Sequence, residues 1–378
     1  MSNYQNLSSL INQGNVELLL NISPPRCGST MLQTAISRSN SVTVAIADPK
    51  GEDFYEEIYS EVLRKLREQP HVSCLVKLMT HWVEPGDEYK RLFDLTNKVS
   101  FFIRNPLLST ESRIKKFIGA LDKKVHPQVF EYLRREMDPM VVEANLSTQR
   151  YFLNNYAQSR GFESWNLMTD ETYAMQDYRM YGELLKTDDS PTGFSVDQLG
   201  WSSLINEFQY LSEQSKPPLV IDATEFRLSP TDGCKMICHQ LGVEYRPEMI
   251  SGWEAADFTH LITETSQADK EIQYTWYDTL TDSSGVKPPT EKSPELKSFP
   301  ELIQIHLRDV ALPAYIDLFR SEHRLSIDGN LTQLETMREI DPLFYTLTAN
   351  KQRSKEGILR MVISGTDYIE DDFQGRRK

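Results

Sequence analysis

Short apolar runs alternate with amphipathic stretches along much of the chain. Residues 16–22, 73–79, 99–103 and 219–222 are each too short for a helix and are rich in Val, Ile and Leu. Such runs predict strands buried on both faces, because a half-exposed strand would alternate apolar with polar positions. Residues 42–47 form a fifth, weaker run. Between them, residues 55–68 (YEEIYSEVLRKLRE) and 204–213 place apolar side chains at helical spacing. Strands alternating with helices predict a three-layer α/β fold with a mainly parallel central sheet covered on both faces. Ligands in such sheets bind beyond the carboxyl ends of the strands, which directs attention to the loops that follow each run.

The remaining segments read differently. Residues 117–185 are crowded with Tyr, Met and charge (VFEYLRREM, RYFLNNYAQ). They predict a helical insertion over about 117–198 that covers the sheet or lines an acceptor pocket. The Pro/Lys/Ser-rich PPTEKSPELKSFPE predicts a surface loop leading into a helix over 302–319. A C-terminal extension over about 326–378 ends in the polar GRRK. At 378 residues the chain exceeds the usual domain size, but large α/β folds reach this length around one sheet. One domain spanning 1–378 is therefore expected.

Charge narrows the partners. A net charge of −14 argues against a broad nucleic-acid or anionic-membrane surface, which would need clustered Lys and Arg. A small anionic ligand is still compatible, since a few basic groups in a cleft set the local field. Residues 1–14 are polar and lack the layout of a secretory signal, and residues 16–22 are too short to span a bilayer. Four cysteines are too few for a disulfide framework in so long a chain. A cytoplasmic protein is expected.

Two loops carry the candidate chemistry. Directly after the first strand stands Ser23-Pro24-Pro25-Arg26-Cys27-Gly28-Ser29-Thr30-Met31. A strand, a short Gly/Ser/Thr loop and a helix together present free backbone N–H groups to an anion, as a P-loop-like nucleotide site does. Gly28 permits close approach, Ser29 and Thr30 offer hydroxyls, and Arg26 adds a permanent charge. The Walker sequence GxxxxGK[ST] is absent, which disfavours an ordinary ATPase or GTPase. Cys27, at a helix N-terminus, is expected to have a depressed pKa. The second loop follows the strand at 99–103: Arg104-Asn105-Pro106 starts a helix that carries Ser112 two turns on. Cys234, Cys238 and His239 could suggest a metal, but sulfurs four apart on a helix share one face and read as a core stripe ending at Gly242. No metal is expected.

Taken together, the two loops resemble the sulfotransferases. Pro25-Arg26-Cys27-Gly28-Ser29-Thr30 is similar to the family's 5′-phosphosulfate loop, written P-[RK]-S-G-T-T. Arg104 and Ser112 match the spacing of the pair that binds the donor's 3′-phosphate. VIDATEFRLSPTDGCKMICHQLGVEY, the GW at Gly252-Trp253, Trp276-Tyr277 and Leu312-Pro313-Ala314-Tyr315 are similar to a bacterial and plant branch. The resemblance implies transfer of a sulfuryl group from 3′-phosphoadenosine-5′-phosphosulfate (PAPS) to a hydroxyl or amine of a small-molecule or carrier-bound acceptor. It implies donor contacts from Arg26, Cys27, Gly28, Ser29, Thr30, Met31, Arg104 and Ser112. Met31 stands where cytosolic members carry a Trp, and Arg26 replaces their Lys. Arg26 can neutralise charge but cannot give up its proton. For the base, Thr80-His81 resembles the turn that supplies a catalytic His. Asp48, before Pro49, matches a family carboxylate, and Glu84 is a third candidate. A nucleotide-binding scaffold and a kinase-like phosphotransferase are the alternatives on the same fold.

Overall fold

The computed structural model describes residues 2–49, 54–80, 87–96, 98–121, 199–254, 257–258, 277, 280–299, 301–327, 331–349 and 354–364. In chain order the first elements are α1 (Asn3–Asn12), β1 (Val16–Ser23), α2 (Ser29–Ser37), β2 (Val44–Ala47), α3 (Phe54–Leu66) and β3 (Val72–Met79). Then come α4 (Asp87–Asp94), β4 (Lys98–Ile103), α5 (Pro106–Leu121), α6 (Trp201–Glu213) and β5 (Leu219–Asp222). The last are α7 (Ala223–Leu228), α8 (Pro230–Leu241), α9 (Glu301–His306), α10 (Leu312–Phe319), α11 (Leu331–Ile340), α12 (Pro342–Ala349) and α13 (Lys355–Ser364). The predicted insertion lies, beyond Leu121, outside the described residues.

The strands pair in parallel in the order β2-β3-β1-β4-β5, as the apolar runs predict for an α/β sheet. Period-two alternation assigns the two faces. Leu18, Leu20 and Ile22 of β1, Cys74, Val76 and Leu78 of β3, and Phe101 and Ile103 of β4 join one core with α1, α3 and α6. Leu19, Leu75, Phe102 and Ile221 join the opposite core, with Leu32 and Ile36 of α2 and Ile237 of α8. Cys234 and Cys238 are buried there, and α8 ends at Gly242 in the left-handed conformation, as the stripe predicts.

The second face is not wholly apolar. Asn21 of β1 sits between Lys77 of β3 and Ser100 of β4 in register, and all three are buried. This polar row lies near the carboxyl end of the strands. Asn21 Nδ2 donates to the Ser29 carbonyl of α2 at 3.4 Å, and Ser100 Oγ donates across to the Leu20 carbonyl of β1 at 3.2 Å.

One expectation changes in the C-terminal part. The single helix expected over 302–319 is broken by a π turn at Leu307–Ala311. Pro313 has no N–H for the carbonyl four residues back and its ring crowds that carbonyl, so the ladder widens just before it. Described residues of the C-terminal extension pack into the body of the fold. Leu343, Phe344, Leu347, Ile358 and Val362 are buried in the first core. Among the described residues no helix is long and apolar enough to cross a membrane.

Candidate functional site: two arginine loops at the sheet's carboxyl edge

β1 leads toward β2 on one side, whereas β4 leads to β5 on the other. Adjacent strands whose connections depart in opposite directions open a crevice beyond their carboxyl ends. The loops that follow are those containing Arg26 and Arg104.

After β1 the backbone turns through two left-handed residues. Arg26 has φ 64° and Gly28, the N-cap of α2, has φ 93°. No side chain caps α2 at Gly28, so its first N–H groups face the crevice without an intrahelical partner. Arg26, Gly28, Thr30 and Met31 are half-buried, whereas Cys27 and Ser29 are buried. The reachable donors are therefore the backbone, Arg26 and Thr30. Met31 packs with Ala35, Trp253, Phe258, Tyr277 and Val286 in a small apolar cluster beside the loop.

The expectation for Cys27 is overturned. Burial pushes its thiol up to about 12, outweighing the opposing pull of Arg104. The loop turns Cys27 inward beneath itself, where a thiolate has no water, and proximity to a helix start does not compensate.

The second loop meets the first. Arg104 Nη1 donates to the Arg26 carbonyl at 3.4 Å, and Arg26 Nε donates to Ser112 Oγ at 3.4 Å. Residues far apart in sequence thus meet, with Arg26, Arg104 and Ser112 as one group. Asn105 shapes the turn. Its Oδ1 accepts from Leu107 N at 3.0 Å, and its Nδ2 donates to Asp341 Oδ1 at 2.7 Å and Ser293 Oγ at 3.3 Å. Arg113, behind Ser112, is held down at about 9 by burial first and by Arg26 second.

Two residues absent from the sequence reading of the site belong to it. Arg227, near the end of α7, donates from Nη1 to both Glu291 carboxylate oxygens, at 3.2 and 3.1 Å. Arg104 Nη2 lies 3.5 Å from Glu291 Oε1. Burial alone would raise the Glu291 carboxyl, but Arg227 and Arg104 hold it down at about 2. No motif announces this pairing, because it joins distant residues that have no shared period.

The proposed bases divide. His81 and Glu84 lie outside the described residues. Asp48 directly follows β2 with φ 49° and forms an ion pair with Lys77, which is itself buried. Its Oδ1 is buried with no hydrogen-bond partner among the described residues. Tyr277 stands within electrostatic range of Lys77, Asp48 and Arg26. Burial raises its phenol, Lys77 and Arg26 lower it, and Asp48 raises it. Asp48 and Arg26 thus share one neighbourhood. Among the described residues, non-glycine residues with positive φ are Arg26, Asp48 and Ser215. Two of these close the loops of the candidate site, where strained backbone tends to collect. Comparison with models of protein families, with characterised proteins and with solved structures finds no match for the chain.

Proposed function

We propose that the chain transfers a sulfuryl group from PAPS to a hydroxyl or amine of a small-molecule acceptor. The observation that supports this most is the meeting of Arg26, Ser112 and Arg104, from two loops, in the crevice between β1 and β4. The 3′- and 5′-phosphates of such a donor are carried on one ribose and need two adjoining basic centres, and these loops supply them. Arg26, with the N–H groups of α2, holds the transferring end. Arg104 and Ser112 hold the 3′-phosphate.

In the reaction the acceptor oxygen or nitrogen attacks sulfur, the bond from sulfur to the bridging phosphate oxygen breaks, and the bisphosphate leaves with the electron pair. Arg26 neutralises the charge that develops on the leaving phosphate, as a fixed cation that needs no reorganisation. His81 or Asp48 takes the acceptor's proton, a contribution of about 10²–10⁴-fold in rate.

Calorimetry tests the reading. Adenosine 3′,5′-bisphosphate is expected to bind more tightly than AMP in the wild type. Arg104→Ala is expected to weaken the bisphosphate by about 30-fold or more and to erase its advantage over AMP, the scale of losing one partner of a desolvated charge pair. Equal affinity for the two nucleotides in the wild type would overturn the assignment of the second loop.

A further inference from the structure

The segment after Ser284 crosses the crevice without regular structure until Leu296. It is fastened at both ends. Val286 N donates to the Ile250 carbonyl at 2.9 Å, and Gly285 bridges Ser251. Gly285 approaches so closely that a Cβ there would lie 2.5 Å from the Ile250 carbonyl oxygen. At the far end Ser293 N donates to the Ile340 carbonyl at 2.6 Å, and its Oγ accepts from Asn105.

Between these anchors one side chain gathers the segment. Arg227 Nε donates to the Lys287 carbonyl at 3.0 Å and Nη2 donates to the Pro288 carbonyl at 2.9 Å. Its Nη1 takes the Glu291 carboxylate, which also lies against Arg104. The Arg227 and Arg104 side chains are 13% and 10% exposed, whereas the Glu291 side chain is 46% exposed. The carboxylate therefore sits on the solvent side of two nearly buried arginines and covers them.

A carboxylate brings one charge and two oxygens to this place. A phosphate monoester brings up to two charges and three terminal oxygens, and matches a pair of guanidinium forks more fully. We propose that Glu291 is the resident counter-ion of the Arg104–Arg227 pair, and that residues 287–292 form a strap which a phosphate-bearing nucleotide lifts. Arg227 is then a second arm of the phosphate site, released from two backbone carbonyls and one carboxylate when the ligand arrives. The ligand named here rests on the donor reading above.

The test uses full-length wild type and Glu291→Gln, which removes the charge and keeps the shape of the side chain. Both are titrated calorimetrically with adenosine 3′,5′-bisphosphate and with AMP. Glu291→Gln is expected to bind the bisphosphate about tenfold more tightly, with a smaller gain for AMP, because the competing charge is gone. Amide exchange at Thr290, whose N–H donates to the Glu291 carboxylate at 3.0 Å, is expected to speed up in the wild type when the bisphosphate is added. Equal bisphosphate affinity in the two proteins, with exchange unchanged by ligand, would overturn the strap while leaving the donor reading standing. Failure of both proteins to bind the bisphosphate would overturn the donor reading, and the strap with it.

Discussion

Asp222 shows what burial does to a single carboxyl at the end of a strand. Its Oδ1 accepts from the N–H groups of Thr224 and Glu225 at 2.8 and 3.0 Å, and Oδ2 accepts from Tyr315 Oη at 2.9 Å. Desolvation, then the Glu225 charge, pushes it up to about 7 from an ordinary 3.8, against those hydrogen bonds. The native state thus holds the proton more tightly than the unfolded chain. The stabilisation is complete below about 3.8 and is lost as pH rises through about 7. Asp222→Asn keeps both capping bonds and cannot ionise. Its Tm relative to wild type is therefore expected to rise between pH 4 and pH 8 in thermal unfolding. A difference that stays flat across that range would show that Asp222 does not titrate there. At this scale the sequence was only partly legible. Arg26, Arg104 and Ser112 stand out because their loops follow apolar runs, and the structure brings them together. Cys27 misleads because a helix start is visible in sequence whereas the inward turn of one residue is not. Arg227 and Glu291 are legible only once the fold has placed them 3.1 Å apart.

The unit formed by β1, its loop and α2 depends on backbone conformation more than on space. A Cβ at Gly28 would meet only Phe102 Cε1 at 3.5 Å and Met31 Cε at 3.8 Å, both ordinary contacts. The obstacle to a larger residue is φ 93°, which costs an L-residue about 1–2 kcal/mol. Gly28→Ala is expected to lower stability by about that amount in denaturant titration; an unchanged midpoint would show that the loop relaxes without strain. The strands were the most legible elements, because runs buried on both faces have no competing pattern. β5 spans 219–222 as read, and β1 and β3 each extend one residue beyond their runs. The broken helix before Pro313 was not legible, since apolar spacing continues through a π turn almost unchanged.

At the scale of the molecule, the described C-terminal helices complete the first core. Phe344 is fully buried and packs edge-on against Phe319 at 5.8 Å. Phe344→Ala is expected to cost about 3–5 kcal/mol, the range for emptying a large aromatic site in a core. Chemical denaturation checks it, and a loss below about 1 kcal/mol would mean the surrounding helices collapse into the space. Residues 323–325 also close the sheet itself: Val220 N donates to the His323 carbonyl at 3.0 Å, and Leu325 N donates to the Val220 carbonyl at 2.8 Å, covering the outer side of β5. The central place of β1 governs how the chain is born. Both of its neighbours, β3 and β4, are encoded downstream, and β4 ends only at Ile103. During synthesis at about 5–20 residues per second, β1 waits on the order of ten seconds for its second partner. For that interval an apolar strand leaves the ribosome with a bare edge, the situation in which nascent chains aggregate or engage chaperones.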